Sequence, residues 1–338
     1  MKILITTLLC VFSWPAIAAV PAIDFIHNDW EVVCDNTRTC RAVGYHHRDD
    51  DDTQGVTVLL ERAAGPGQPV TAALMLTTYN QEFWVPKVGG VAMHVDDRPL
   101  GQVRIDGDAM QGALTAAQTQ ALVAAVAGTG NVQWRDGIHT WTLSGSGAAA
   151  VLLKMDEAQG RIGTPGALLR KGARAESSVP AAPPMPEVSA APVDEAEAKL
   201  LPAARTALLR ELAGTLGEGD CEALKPEAIS VRRLAPGRLL VFGTCWAGAA
   251  GQGIAYWVAH GTAPFKPVLV TTDGSDYRAG TIFASRSMLG CWENQERVWD
   301  GRRFTRTLEA SSGRCPSMGF GSTWSLPTYV TRVTRGLR

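Results

Sequence analysis

Residues 175–198 read AESSVPAAPPMPEVSAAPVDEAEA, and no other stretch limits so strongly what this chain can fold into. It is rich in Ala and Pro and poor in large apolar side chains. It cannot bury enough surface to offset the entropy of ordering it, so residues 173–200 read as an extended, flexible linker. A chain of 338 residues is too long for one ordinary core. The linker divides it into an N-terminal part, 20–172, and a C-terminal part, 201–338.

The first 19 residues have the grammar of a secretory leader. Lys2 is followed by the apolar run Ile3 to Phe12, and Ala16 and Ala18 supply the small residues of a cleavage site. The run is too short to span a bilayer, and no later run is long enough. Cys10 sits inside the apolar core behind Leu9, which disfavours lipid attachment. Beyond the leader lie Cys34, Cys40, Cys221, Cys245, Cys291 and Cys315. An even set in an exported chain points to disulfides. Pairing neighbours in sequence gives Cys34–Cys40, Cys221–Cys245 and Cys291–Cys315. No C-x-x-C is present, which argues against a thioredoxin-like redox centre or paired zinc knuckles.

Hydrophobic patterning makes both parts strand-rich. WEVVC and CRAVGYH flank the polar loop DNTRT, so Cys34 and Cys40 can meet across a hairpin. GVTVLLER and TAALMLTT follow as strands around a Gly/Pro turn. LTAAQTQALVAAVAG reads as a helix, with Thr115 as N-cap, Gln118 completing a capping box and Gly128 at its end. After the linker, EAEAKLLPAARTALLRELAG has helical spacing with Pro202 in its first turn. The remainder alternates as strands. The expected fold is mainly β or α+β: two β-rich domains, each with one helix.

The net charge of −1 conceals an asymmetry. Residues 20–172 carry 12 basic and 17 acidic side chains, and residues 201–338 carry 17 basic and 11 acidic. The C-terminal part is therefore suited to an anionic partner, or the two parts attract each other weakly.

Chemistry-bearing motifs are sparse. No G-x-S-x-G, H-E-x-x-H or P-loop occurs, so no catalytic residue, cofactor or metal is assigned. His46 and His47 precede Asp49 to Asp52. Neighbours on an extended chain point apart, and four adjacent aspartates lack the glycine of a calcium loop, so a solvated acidic loop is the better reading. Gly145-x-Gly147-x-x-Ala150 has dinucleotide-binding spacing but no β-α-β context, and reads as a strand-to-helix corner. Glu293, Glu296 and Asp300 are candidate glycosidase carboxylates, with solvated strand positions as the alternative. In CWENQERVWDGRRFTRTLEA, Asp300-Gly301 signals a two-residue hairpin turn. That register sets Trp299 opposite Arg302 and Arg297 opposite Phe304. Arg297, Trp299, Arg302, Phe304 and Arg306 would then share one basic-aromatic binding face.

DWEVVCDNTRTCRAVGY, LLERAAGPGQPV, LKMDEAQGRIGTPGAL and VWDGRRF before Cys315 resemble, in the same order, the exported bacterial domain of unknown function 1176 family. The N-terminal half, with its W-x-V-x-C start, also resembles invasion-associated locus B proteins. The resemblance implies a Gram-negative envelope protein, periplasmic or secreted, and brings no reaction, cofactor or catalytic residue. The expected function is a non-catalytic binding or interaction module of the envelope. Its expected partner is an envelope protein or an anionic envelope ligand, with no nucleic acid and no membrane span. The alternative is an envelope hydrolase acting on cell-wall glycan through the C-terminal carboxylates.

Overall fold

WEVVC is buried at every position. Successive residues of a strand point to opposite sides, so such a strand needs cover on both faces. The computed structural model, which describes residues 21–47, 54–78, 90–107, 110–248, 251–288, 291–314 and 324–336, supplies that cover from two different parts of the chain. Strands β1 (Ile23–His27), β2 (Trp30–Cys34), β3 (Cys40–Tyr45), β4 (Gln54–Arg62) and β5 (Thr71–Thr78) form an antiparallel meander. After β6 (Gly90–Val95) and β7 (Arg98–Arg104), β8 (Gln111–Ala113) joins the meander's edge. Helix α1 (Ala116–Ala127), strands β9 (Val132–Arg135) and β10 (Thr140–Leu143) and helix α2 (Ala148–Ala158) complete the N-terminal half, with a second sheet ordered β10-β9-β6-β7.

One face of the six-stranded sheet, including Trp30, Val32, Ala42, Val58 and Leu74, packs with Trp134 and Trp141 of the second sheet and with Leu122 and Leu152 of the helices. Trp30 lies over Gly44 on the neighbouring strand, where a Cβ would approach the indole to 2.3 Å. The other face, with Val33, Val43, Tyr45 and Met75, is covered by Trp324 and Leu326 from the end of the chain.

The C-terminal half is layered around a four-stranded sheet. Strand β11 (Glu187–Ala190) lies in the linker, and α3 (Pro202–Ala213) follows it. Strands β12 (Ser230–Ala235), β13 (Arg238–Gly248), β14 (Gly251–His260) and β15 (Val268–Gly274) pair in sequence order. Leu208 and Leu212 of α3 pack on one face of this sheet with Val241 and Trp257. Leu240 and Tyr256 of the other face meet Ile282, Trp299 and Phe304. Those three belong to a five-stranded sheet of β16 (Asp276–Arg278), β17 (Thr281–Met288), β18 (Cys291–Trp299), β19 (Phe304–Ser311) and β20 (Leu326–Val330). Strand β21 (Arg332–Arg335) pairs in parallel with β11.

The β-rich α+β class is as expected. The helix count differs: the N-terminal half has two helices. The Gly145–Ala150 stretch opens α2, with Gly147 at φ 94° as its N-cap. Thr115 and Gln118 form the expected capping box on α1. Gln118 also donates to the carbonyls of Leu100 and Gln102, covering part of the exposed edge of β7. Disulfides join Cys34 to Cys40 and Cys221 to Cys245. Cys291 is disulfide-bonded, and Cys315 lies outside the described residues.

Residues 173–200 hold a 3-10 turn at Glu176–Ser178 and strand β11, and they are hydrogen-bonded to both halves. Glu176 accepts from Arg161 at 2.8 Å and from the Gly67 amide at 3.1 Å. Further on, the amide of Ala191 donates to Trp299, that of Asp194 to Leu234 and that of Ala198 to Val231. The segment expected as a flexible linker thus runs as a strap along the molecule.

Candidate functional site

The hairpin expected to carry the binding face has a different loop. Trp299 pairs with Phe304, and Arg297 with Arg306, so residues 300–303 form a four-residue turn. The cause is the Asp300 side chain. Its Oδ1 accepts from the amides of Arg302 at 2.8 Å and Arg303 at 2.9 Å, and its Oδ2 accepts from Thr305 Oγ1 at 2.7 Å. An aspartate that caps a turn through its side chain is not one of the two central residues of a tight turn. Burial raises the pKa of this carboxyl, but the hydrogen bonds from Arg303, Thr305 and Arg302 hold it below the usual carboxylate range. Asp136 builds the same loop between β9 and β10, accepting from the amides of Ile138 and His139.

The new register is shifted by two residues, so Arg297, Trp299, Phe304 and Arg306 still share one face of the hairpin, but its aromatic pair is buried and Arg302 falls in the turn. Trp299 is fully buried and Phe304 is 7% exposed, their rings 5.5 Å apart in the core. Arg302 stands exposed in the turn. Arg306 lies 4.1 Å over the ring of Tyr329 and pairs with Glu309 at 2.6 Å, and Arg297 lies opposite it on β18. The sequence reading missed Tyr329, whose alignment with this hairpin depends on β20 pairing with β19.

The proposed carboxylates do not converge. Glu293 and Glu296 are three residues apart on one strand, with the register shift falling only after Glu296, so they point to opposite faces. Asp300 is committed to the turn. His46 is buried beside the Val56 carbonyl, while His47 is exposed, 3.5 Å from Asp29. Asp49 to Asp52 lie outside the described residues. Among the described residues, no cluster of three or more His, Cys, Asp or Glu side chains could hold a metal, and no helix is long and apolar enough to cross a membrane.

The sequence motifs meet elsewhere. Arg62 of LLERAAGPGQPV is 1% exposed, and its guanidinium donates to Asp156 at 2.7 Å and to Gln159 at 2.6 Å, both from LKMDEAQGRIGTPGAL. Asp156, 0% exposed, also accepts from the amides of Leu168 and Leu169. Arg161 donates to the carbonyl of Gly65 and to Glu176, and Gln159 reaches the carbonyl of Arg38 in the first motif. Desolvation lowers the Arg62 pKa, against the pull of Asp156. This network clamps three loops and the start of the strap; every charge in it is occupied within the protein. Such a pattern could not be recognised from spacing, because Arg62 and Asp156 are 94 residues apart.

A second buried group sits where the halves join. Glu31, 2% exposed, accepts from the Tyr45 hydroxyl and, at 2.8 Å, from the amide of Arg314. Gly313 at φ 67° closes over it, and a Cβ there would come within 2.5 Å of Glu31 Oε1. Burial raises the Glu31 pKa, opposed by the bonds from Tyr45 and Arg314, with Asp24 adding repulsion. A carboxyl raised on folding favours the native state fully below its unfolded pKa, and that contribution is lost as pH rises through the folded value. The urea midpoint of Glu31→Gln, relative to the unsubstituted protein, should therefore increase from the ordinary carboxylate range upward and then level off. A pH-independent difference would show that Glu31 does not titrate in this way.

A family profile described as Protein of unknown function (DUF1176) matches residues 24–331. An Escherichia coli (strain K12) protein described as Uncharacterized protein YpfG is 27% identical over 334 residues, covering 90% of this chain and 92% of the relative. No solved structure matches. A likeness to invasion-associated locus B proteins is not shown by these matches. With the profile extending from β1 to the residue before β21, and so across both halves and the strap between them, the chain belongs to the DUF1176 family of proteins of unknown function.

Proposed function

We propose that the protein is an exported, non-catalytic binding module of the Gram-negative envelope, acting in the periplasm on an anionic partner. The leader-like start and the disulfides Cys34–Cys40 and Cys221–Cys245 support export. The observation that carries the binding reading is the arginine surface of the β18–β19 hairpin. Arg302 and Arg303 stand exposed at its turn, and Arg306 is braced on Tyr329. It lies in the half that carries 17 basic against 11 acidic side chains. Guanidinium groups, of which that of Arg306 is held over Tyr329, suit carboxylate or phosphate on an opposing surface.

The test is the variant Arg297→Ala/Arg302→Ala/Arg306→Ala, compared with the unsubstituted protein in capture from envelope extract at low and high salt. Retention of partners should fall by about tenfold or more at low salt and differ little at high salt. Undiminished capture by a variant with an unchanged circular dichroism spectrum would refute the role of this surface.

A further inference from the structure

The outward face of the sheet β10-β9-β6-β7 holds a groove of 640 Å³, a size that admits a small ligand. Its floor is nearly bare. Gly90 and Ala92, on β6, lie between Arg104 and Gln102 of β7 on one side and Arg135 of β9 on the other. The flanking strands are roughly 10 Å apart, two strand spacings. The floor cannot readily be filled: a Cβ on Gly90 would meet the Val103 carbonyl oxygen at 2.4 Å.

The two guanidinium groups differ in setting. Arg135 is fixed by Asp97 at 2.5 Å and by Gln133. Arg104 is exposed and makes no ion pair among the described residues. The Asp136 carboxylate at the rim is turned into its hairpin. The Gln102 amide and His94 imidazole also line the groove. A simple anion would use the guanidinium groups and leave the amide and imidazole idle. A sugar ring carrying hydroxyls and a carboxylate would use them together, with bidentate guanidinium–carboxylate pairing as the strongest contact.

We propose that this groove binds an acidic oligosaccharide, with a carboxylate held by Arg104 and hydroxyls held by Gln102 and His94, beside the Asp97-paired Arg135. The site is separate from the C-terminal arginine surface and does not depend on it.

The test is calorimetric titration of the mature full-length protein with oligogalacturonate, with a neutral malto-oligosaccharide of equal length and with inorganic phosphate. Oligogalacturonate should bind. Arg104→Ala should weaken it by about tenfold, as expected for loss of one charge-assisted pair, and Gln102→Ala by a few-fold. The C-terminal triple arginine variant should bind it unchanged. Absence of binding, equal affinity for the neutral oligomer or for phosphate, indifference to Arg104→Ala, or loss of binding in the triple variant would each overturn the proposal.

Discussion

Replacing Asp156 with alanine is expected to destabilise the protein by about 3–5 kcal/mol, the range for removing one partner of a buried ion pair. The substitution leaves the Arg62 guanidinium in a site that already lowers its pKa by desolvation. It also removes the acceptor of the Leu168 and Leu169 amides, bonded at 2.7 Å and 3.1 Å. Arg62→Met combined with Asp156→Leu should cost less than Asp156→Ala alone, because neither charge then remains buried without its partner. Urea unfolding followed by tryptophan fluorescence measures all three proteins. A loss below about 1 kcal/mol for Asp156→Ala, the level of an exposed pair, would show that the network does not hold these loops.

The second large effect is expected at Trp324. Its indole covers Val33, Val43, Tyr45 and Met75 and donates to Thr57 Oγ1 at 3.3 Å. Trp324→Ala should cost about 3–5 kcal/mol through lost burial and an unfilled cavity. Residues 20–172 expressed without the remainder should bind a hydrophobic dye, because one face of their six-stranded sheet is left uncovered. A fragment that unfolds cooperatively at the full-length midpoint without dye binding would contradict this account. Asn36 strengthens the junction, donating to the Val330 carbonyl at 3.1 Å and accepting from its amide at 2.7 Å.

Local features were legible because their causes are local. Cys34 and Cys40 flank a polar loop between apolar runs, and their bridge follows from that spacing. Thr115 and Gln118 announce the start of α1, and Pro202 stands in the first turn of α3. The alternation of apolar and polar residues, with few helical periods, determined the β-rich class. It also kept His46 and His47 apart.

Only the tertiary structure decided where long-range partners meet. The Asp300 side chain caps its own turn, which set the register, and the packing of that face against Leu240 and Tyr256 of the four-stranded sheet buried Trp299 and Phe304. The composition of residues 173–200 pointed to an extended linker, but their bonds to both halves depend on surfaces assembled from distant segments. Arg62 and Asp156 look like surface charges in a linear reading, because nothing local marks a charge whose partner is 94 residues away. WEVVC is buried at every position, so both of its faces need cover. That Trp324 and Leu326 provide the second cover was settled by packing, since the energy of burying apolar area is non-directional and does not specify which segment supplies it.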